Sequence, residues 1–240
     1  IHLGAHTKKI TVEDCLSIDP ISEEGGYRRH TYFTLGQLAL FNRCWSTRGI
    51  HDFSVGHCAA GPIAFVQCYA DRALGPSGPI ESWGSGLLFD NTRIDGNNLE
   101  LRNRWSVPHG TGWAAANCML WQCRAANVLC FRPPGASNWA IGNWANHLGD
   151  GTIESRSDFV KPLSLYQAQL AERVGLSAAE RLNPILGQPV GATNPTYEQA
   201  SQFVQQSNQP AKTLIDVIQE KMTTAAKRRS EQIREAESAR

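Results

Sequence analysis

Histidines, arginines, carboxylates and tryptophans recur together in the polar stretches of this 240-residue chain. They read Arg28-Arg29-His30, Arg48 with His51-Asp52, His57, Glu81-Ser82-Trp83, and His109 with Trp113. Indole rings can stack on the apolar C–H faces of sugars, while guanidinium and imidazole groups beside them bind hydroxyls or carboxylates. From Gly25 to His57 four arginines, Arg28, Arg29, Arg43 and Arg48, face Asp52 alone, a local balance of +3 that favours an anionic ligand such as a uronate. Two chemistries fit these parts. In β-elimination, Arg28, Arg29 or Arg48 would neutralise a uronate carboxylate while His51, oriented by a neighbouring carboxylate, removes the adjacent proton. In hydrolysis, Asp52 and Glu81 would flank a glycosidic bond about 5 to 9.5 Å apart.

Each group also has a purely structural reading. His51-Asp52 can be a turn whose carboxylate caps backbone N–H groups, and Arg28-Arg29-His30 can be a charged edge that blocks further strand pairing. Trp83 and Trp113 can pack loops, and His57 between Gly56 and Cys58 can serve the backbone. Asp90 and Asp95 could bind Ca²⁺ only if loops bring further oxygens, and no Ca²⁺-loop motif accompanies them.

The elements that must position these residues repeat. Ile10-Thr11-Val12-Glu13-Asp14-Cys15, Ala39-Leu40-Phe41-Asn42-Arg43-Cys44, Ala64-Phe65-Val66-Gln67-Cys68, Leu87-Leu88-Phe89-Asp90-Asn91 and Met119-Leu120-Trp121-Gln122-Cys123 share one pattern, apolar residues followed by a polar pair and Cys or Asn. The anchors lie 29, 24, 23 and 32 residues apart. Periods of roughly 20 to 50 residues mark stacked repeats, and short β-favouring phrases broken by Gly, Pro, Asn and Asp mark strands rather than helices. An all-β solenoid is expected, with each strand about 4.8 Å above the previous one. Cys15, Cys44, Cys68, Asn91 and Cys123 would then form one ladder.

The coils are expected over residues 1–150. A capping segment follows over 151–182, in which Leu163, Tyr166, Leu170 and Val174 follow helical spacing up to Gly175 and would cover the upper end of the stack. A linker spans 183–195, and an amphipathic helical tail spans 196–240 with Leu214, Ile215, Ile218, Met222 and Ala225 on one stripe. Lys227-Arg228-Arg229 is balanced by Glu231, Glu235 and Glu237, which argues against nucleic acid; the tail reads first as a solvated helix that frays or packs on a neighbour, and second as a helix for a protein partner or self-association.

A net charge of +1 and 41% hydrophobic residues suit a chain with a sizeable core, and no apolar run reaches the roughly 18 residues of a membrane span. Ile1 to His6 lack the basic and apolar regions of a signal peptide. With no capping element before Ile10, the chain is expected to continue upstream. Seven cysteines without a Cys-x-x-Cys pair give no zinc pattern and leave the redox compartment open.

Val12-Glu13-Asp14-Cys15-Leu16-Ser17-Ile18-Asp19-Pro20-Ile21, Gly49-Ile50-His51-Asp52-Phe53, Gly110-Thr111-Gly112-Trp113-Ala114 and Ser164-Leu165-Tyr166-Gln167-Ala168-Gln169-Leu170 resemble the C-terminal half of secreted right-handed β-helix proteins of the pectate-lyase-like superfamily. The resemblance covers about residues 8 to 175. It implies a right-handed parallel β-helix with a C-terminal α-helical cap and extension, in an extracellular or cell-envelope protein acting on polysaccharide. The acidic Ca²⁺ cluster and the Arg-x-Pro-x-x-Arg arrangement of pectate lyases have no match here. The expected function is therefore a lyase or hydrolase of an acidic polysaccharide. His51, Asp52, Arg29 and Glu81 would be its catalytic residues, and Arg28, His30, Arg48, Trp83, His109 and Trp113 would bind substrate. The alternative is a non-catalytic structural or adhesive module that assembles through its C-terminal helices.

Overall fold

The computed structural model describes residues 1–18, 20–25, 28–106 and 112–183, and in the tail 215, 216, 218–220, 222–224, 227, 231 and 234. The chain forms two compact units, Ile1–Pro189 and Val190–Arg240.

In the first unit the strands build three sheets. Sheet one holds His2–Leu3, His30–Thr34, His51–Val55 and Gly78–Pro79. Sheet two runs through Lys8–Glu13, Gln37–Asn42, Ala60–Val66, Gly84–Asp90, Cys118–Trp121, Asn138–Ile141 and Thr152–Glu154, with Ala115–Ala116 beside it. Sheet three runs through Leu16–Ser17, Trp45–Thr47, Tyr69–Asp71, Arg93–Ile94, Arg124–Cys130 and Leu99–Leu101, with Trp144–Leu148 beside it. The strands of all three sheets pair in parallel. From Lys8 to Pro79 the chain passes from sheet two to three to one and back, an order compatible with a parallel β-helix.

Register explains the repeated phrase. Val12, Phe41, Phe65, Phe89, Leu120 and Ala140 are directly paired from strand to strand in sheet two and fill the interior. Phe41 stacks on Phe65, and Phe65 on Phe89, with centroids 4.8 Å apart in each case. That spacing is the strand repeat itself. The intervening outward column, Leu40, Ala64, Leu88, Met119 and Trp139, is also apolar.

Between sheets two and three, Asp14, Arg43, Gln67, Asn91 and Gln122 turn the corner in the left-handed region, with φ from 51° to 53°. Asn91 therefore belongs to this corner column, and Thr92 takes the place expected for it among Cys15, Cys44, Cys68 and Cys123. The correct ladder has a clear role: Cys68, Thr92 and Cys123 donate to the carbonyls of Phe41, Phe65 and Phe89, the paired residues of the preceding strand, at 3.5, 3.1 and 3.3 Å. Each side chain thereby satisfies a buried carbonyl at the bend. All seven cysteines are free thiols.

The segment after the last strand carries two helices, α1 (Leu165–Val174) and α2 (Leu176–Leu182). It lies along the side of the stack instead of over its end. Gln122 Nε2 donates to the Pro162 and Leu163 carbonyls, Asn91 Nδ2 donates to Leu163, and Arg43 and Gln67 both reach Asn183 Oδ1. The outward apolar column explains this docking, because α1 covers it. Between them remains a groove of about 760 Å³ lined by Leu40, Leu88, Met119, Trp139, Tyr166 and Leu170, among others.

In the second unit the described residues are helical; of the expected apolar stripe Ile218 is buried and Ile215 half-buried, but Met222 is exposed. Leu214, Ala225 and most of the linker and tail lie outside the described residues. Among the described residues no helix is long and apolar enough to cross a membrane.

Candidate functional site

The predicted residues converge in part, around sheet one. His30 and His51 pair in register on neighbouring strands, with ring centroids 4.9 Å apart. Phe33 lies 5.7 Å from His30 and 4.7 Å from His2. Where the strand His51–Val55 ends, a Cβ on Gly56 would stand 2.5 Å from both Phe33 Cζ and Glu81 Oε2. Any larger residue there would force the Glu81 carboxylate and Phe33 ring to shift.

Glu81 is 5% exposed, and its Oε2 accepts the His57 backbone N–H at 2.9 Å while standing 3.7 Å from His57 Nε2. The His57 ring is 59% exposed. A buried carboxylate beside an accessible imidazole is a general acid–base arrangement. The turn is tied to aromatic neighbours: Cys58 N–H donates to the Ser82 carbonyl at 2.7 Å, and Trp83 N–H to Trp113 at 2.9 Å. Trp83 remains 42% exposed.

Trp105, which the sequence reading passes over, is 71% exposed in the loop that returns to Trp113, where Gly112 N–H donates to the Trp105 carbonyl. Its place in one loop with His109 and Trp113 was the available signal. That loop is anchored by Glu100, which accepts from Arg102 Nε at 2.6 Å and Arg104 Nη1 at 3.2 Å. His109 lies outside the described residues.

The other expected residues are placed differently. Asp52 is fully buried and turns inward, accepting from Ser46 Oγ and from Thr31 Oγ1. His51 Nδ1 instead meets the Pro76 carbonyl at 2.7 Å. Successive strand residues point to opposite faces, so Asp52 does not orient His51. Burial pushes the Asp52 carboxyl up to about 6, and Asp52 cannot flank an external glycosidic bond with Glu81.

Arg29 is a clamp rather than a substrate ligand. Its side chain is 7% exposed, with Nε donating to Ser22 O, Nη2 to Pro20 O, and Nη1 to Glu24 and to Arg48 O. Arg28 pairs with Glu23, Arg48 with Glu24, and Arg43 with Glu13 and Asp14. The local excess of +3 is thus offset by four carboxylates just before the window that defined it. Asp90 accepts Ser164 Oγ and Tyr166 N–H at the start of α1, and Asp95 pairs with Arg93. Neither is arranged around a cation, and among the described residues no group of three or more His, Cys, Asp or Glu side chains could hold a metal.

Residues 151–240 match the model of a family described as a domain of unknown function, DUF6298. No curated protein and no solved structure matches the chain.

Proposed function

We propose that this chain belongs to a right-handed parallel β-helix protein of the extracellular space or cell envelope that acts on an acidic polysaccharide. The observation that carries the proposal is the exposed His57 imidazole held against buried Glu81, one turn from exposed Trp83. His57 takes the proton adjacent to a uronate carboxylate, the glycosidic C4–O bond breaks as the C4=C5 double bond forms, and the imidazolium, stabilised by Glu81, returns the proton to the departing oxygen while Trp83 supports the sugar ring. Among the described residues Glu81 is the carboxylate paired with His57, and Asp52 is buried away from it, which favours elimination over hydrolysis, which needs two.

The test is release of unsaturated uronate, followed by the absorbance of its conjugated enol-ether acid, over a panel of acidic polysaccharides. Wild-type protein is expected to release it and H57A to lose it. Reducing ends without unsaturation would transfer the reading to hydrolysis. No product at all would favour a non-catalytic structural or adhesive module, a second reading supported by the pairing of Arg28, Arg29 and Arg48 with nearby glutamates. In that reading the C-terminal helices are the assembly element.

A further inference from the structure

Sheet three carries an outward column separate from the acid–base pair. Leu16, Trp45, Tyr69, Arg93, Arg124 and Trp144 are paired rung by rung. After Leu16, every rung is therefore an aromatic ring or a guanidinium.

Trp45 meets Tyr69 edge-on at 4.1 Å, Arg93 lies 4.7 Å over the Tyr69 ring, and Arg124 lies 5.9 Å over Trp144 and 5.8 Å over Phe159. These cation–π contacts restrain both guanidinium groups while leaving N–H groups for another acceptor.

The charges are unbalanced. Arg93 and Arg124 are direct neighbours, about 4.8 Å apart along the stack, and like charges in register repel. Arg93 has Asp95 at 3.4 Å. Arg124 is exposed and has no ion pair among the described residues. Trp144, on the next rung, is 42% exposed.

We propose that Arg93, Arg124 and Trp144 form a subsite for an anionic sugar on sheet three, separate from the His57–Glu81 turn. The carboxylate of a uronate residue lies between the two guanidinium groups, each donating to it, and the ring of the same or the next sugar lies on Trp144. The choice of a sugar as ligand rests on the polysaccharide reading above, but the subsite is tested by binding alone. On a chain of repeating uronates it would hold polymer on a second face of the stack.

The experiment is calorimetric titration of the full chain carrying H57A, so that ligand is not consumed, with a short oligouronide, its carboxyl-reduced counterpart, and inorganic phosphate. The oligouronide is expected to bind, and the added changes R93Q/R124Q to weaken it about tenfold or more, the value of a lost charged hydrogen bond. W144A is expected to weaken it too, while the reduced oligosaccharide binds poorly to every version. Both arginines are exposed, so R93Q/R124Q is expected to leave the thermal midpoint near that of its parent, and midpoints are measured for every variant because Trp144 also packs against Phe159 at 5.4 Å. Oligouronide affinity unchanged by R93Q/R124Q would overturn the subsite. Phosphate binding as tight as oligouronide, with W144A silent, would overturn its assignment to a sugar. Turnover failing in wild-type protein would leave this binding result unaffected.

Discussion

Glu81 Oε2 accepts the backbone N–H of His57 at 2.9 Å and faces its Nε2 at 3.7 Å, so one oxygen fixes both the turn and the ring. The two roles separate by substitution. Glu81→Gln keeps an acceptor for the N–H and loses the charge; Glu81→Ala loses both. E81Q is therefore expected to unfold close to wild type while losing most turnover, and E81A to lose turnover together with about 1–3 kcal/mol, the usual cost of an unpaired buried donor. Chemical denaturation beside the unsaturated-uronate assay checks this. Full turnover in E81Q would remove Glu81 from the mechanism.

The parallel strand pattern was legible because each paired strand repeats the physical demands of its neighbour. A residue type that satisfies one corner or core position recurs at the next, so Phe41, Phe65 and Phe89 announce a column. The ladder position of Asn91 was misread by one place because Asn suits both a left-handed corner and a donor ladder, and only register decides between them. The separation of His51 from Asp52 followed from strand alternation alone. The pairing of Arg29, Arg43 and Arg48 did not, since it depends on where Glu13, Asp14 and Glu24 arrive in space. The side placement of α1 was half visible: Leu40, Ala64, Leu88 and Met119 are apolar on the outward parity, and such a column needs a cover.

Asp52 gives a pH signature. Its carboxyl is raised from 3.8 to about 6 by burial, against the opposing hydrogen bonds from Ser46, Thr31 and the Gly49 backbone. Between these values the folded state holds a proton that the unfolded chain has released, so stability is greatest below about pH 4 and falls as pH rises to about 6. The loss is about 3 kcal/mol. Asp52→Asn resembles the protonated form and lacks this slope. Subtracting the D52N unfolding profile from wild type should show the decline over that interval and nothing above it; a difference that rises with pH would reverse the assignment.

Phe65 stands between Phe41 and Phe89 with no solvent exposure. Phe65→Ala removes ring contacts to Phe41, Phe89 and Phe53 and opens a cavity that neighbours fixed by strand pairing cannot close, at an expected cost of about 3–5 kcal/mol. Phe65→Leu preserves most of the volume and should cost clearly less. Urea unfolding of both variants measures the difference. Equal losses would mean that ring stacking, rather than filled volume, sets the stability of this column.

Ser164 joins the helical segment to sheet two through two bonds of its hydroxyl. It accepts the Gln167 N–H at 3.0 Å as the N-cap of α1 and donates to Asp90 Oδ2 at 2.8 Å. Asp90 also accepts the Tyr166 N–H, which binds the first turn of the helix directly to sheet two. Ser164→Ala removes the cap and leaves a buried acceptor short of one donor, with an expected cost of about 1–2 kcal/mol. Asp90→Asn retains an acceptor but weakens both bonds to the helix. The two changes share a partner, so their effects should fall short of additivity in a double-mutant cycle. Amide exchange then distinguishes local from global loss: faster exchange confined to α1 means that the helix is held mainly by this contact, whereas faster exchange throughout sheet two means that the helix cover stabilises the coils beneath it.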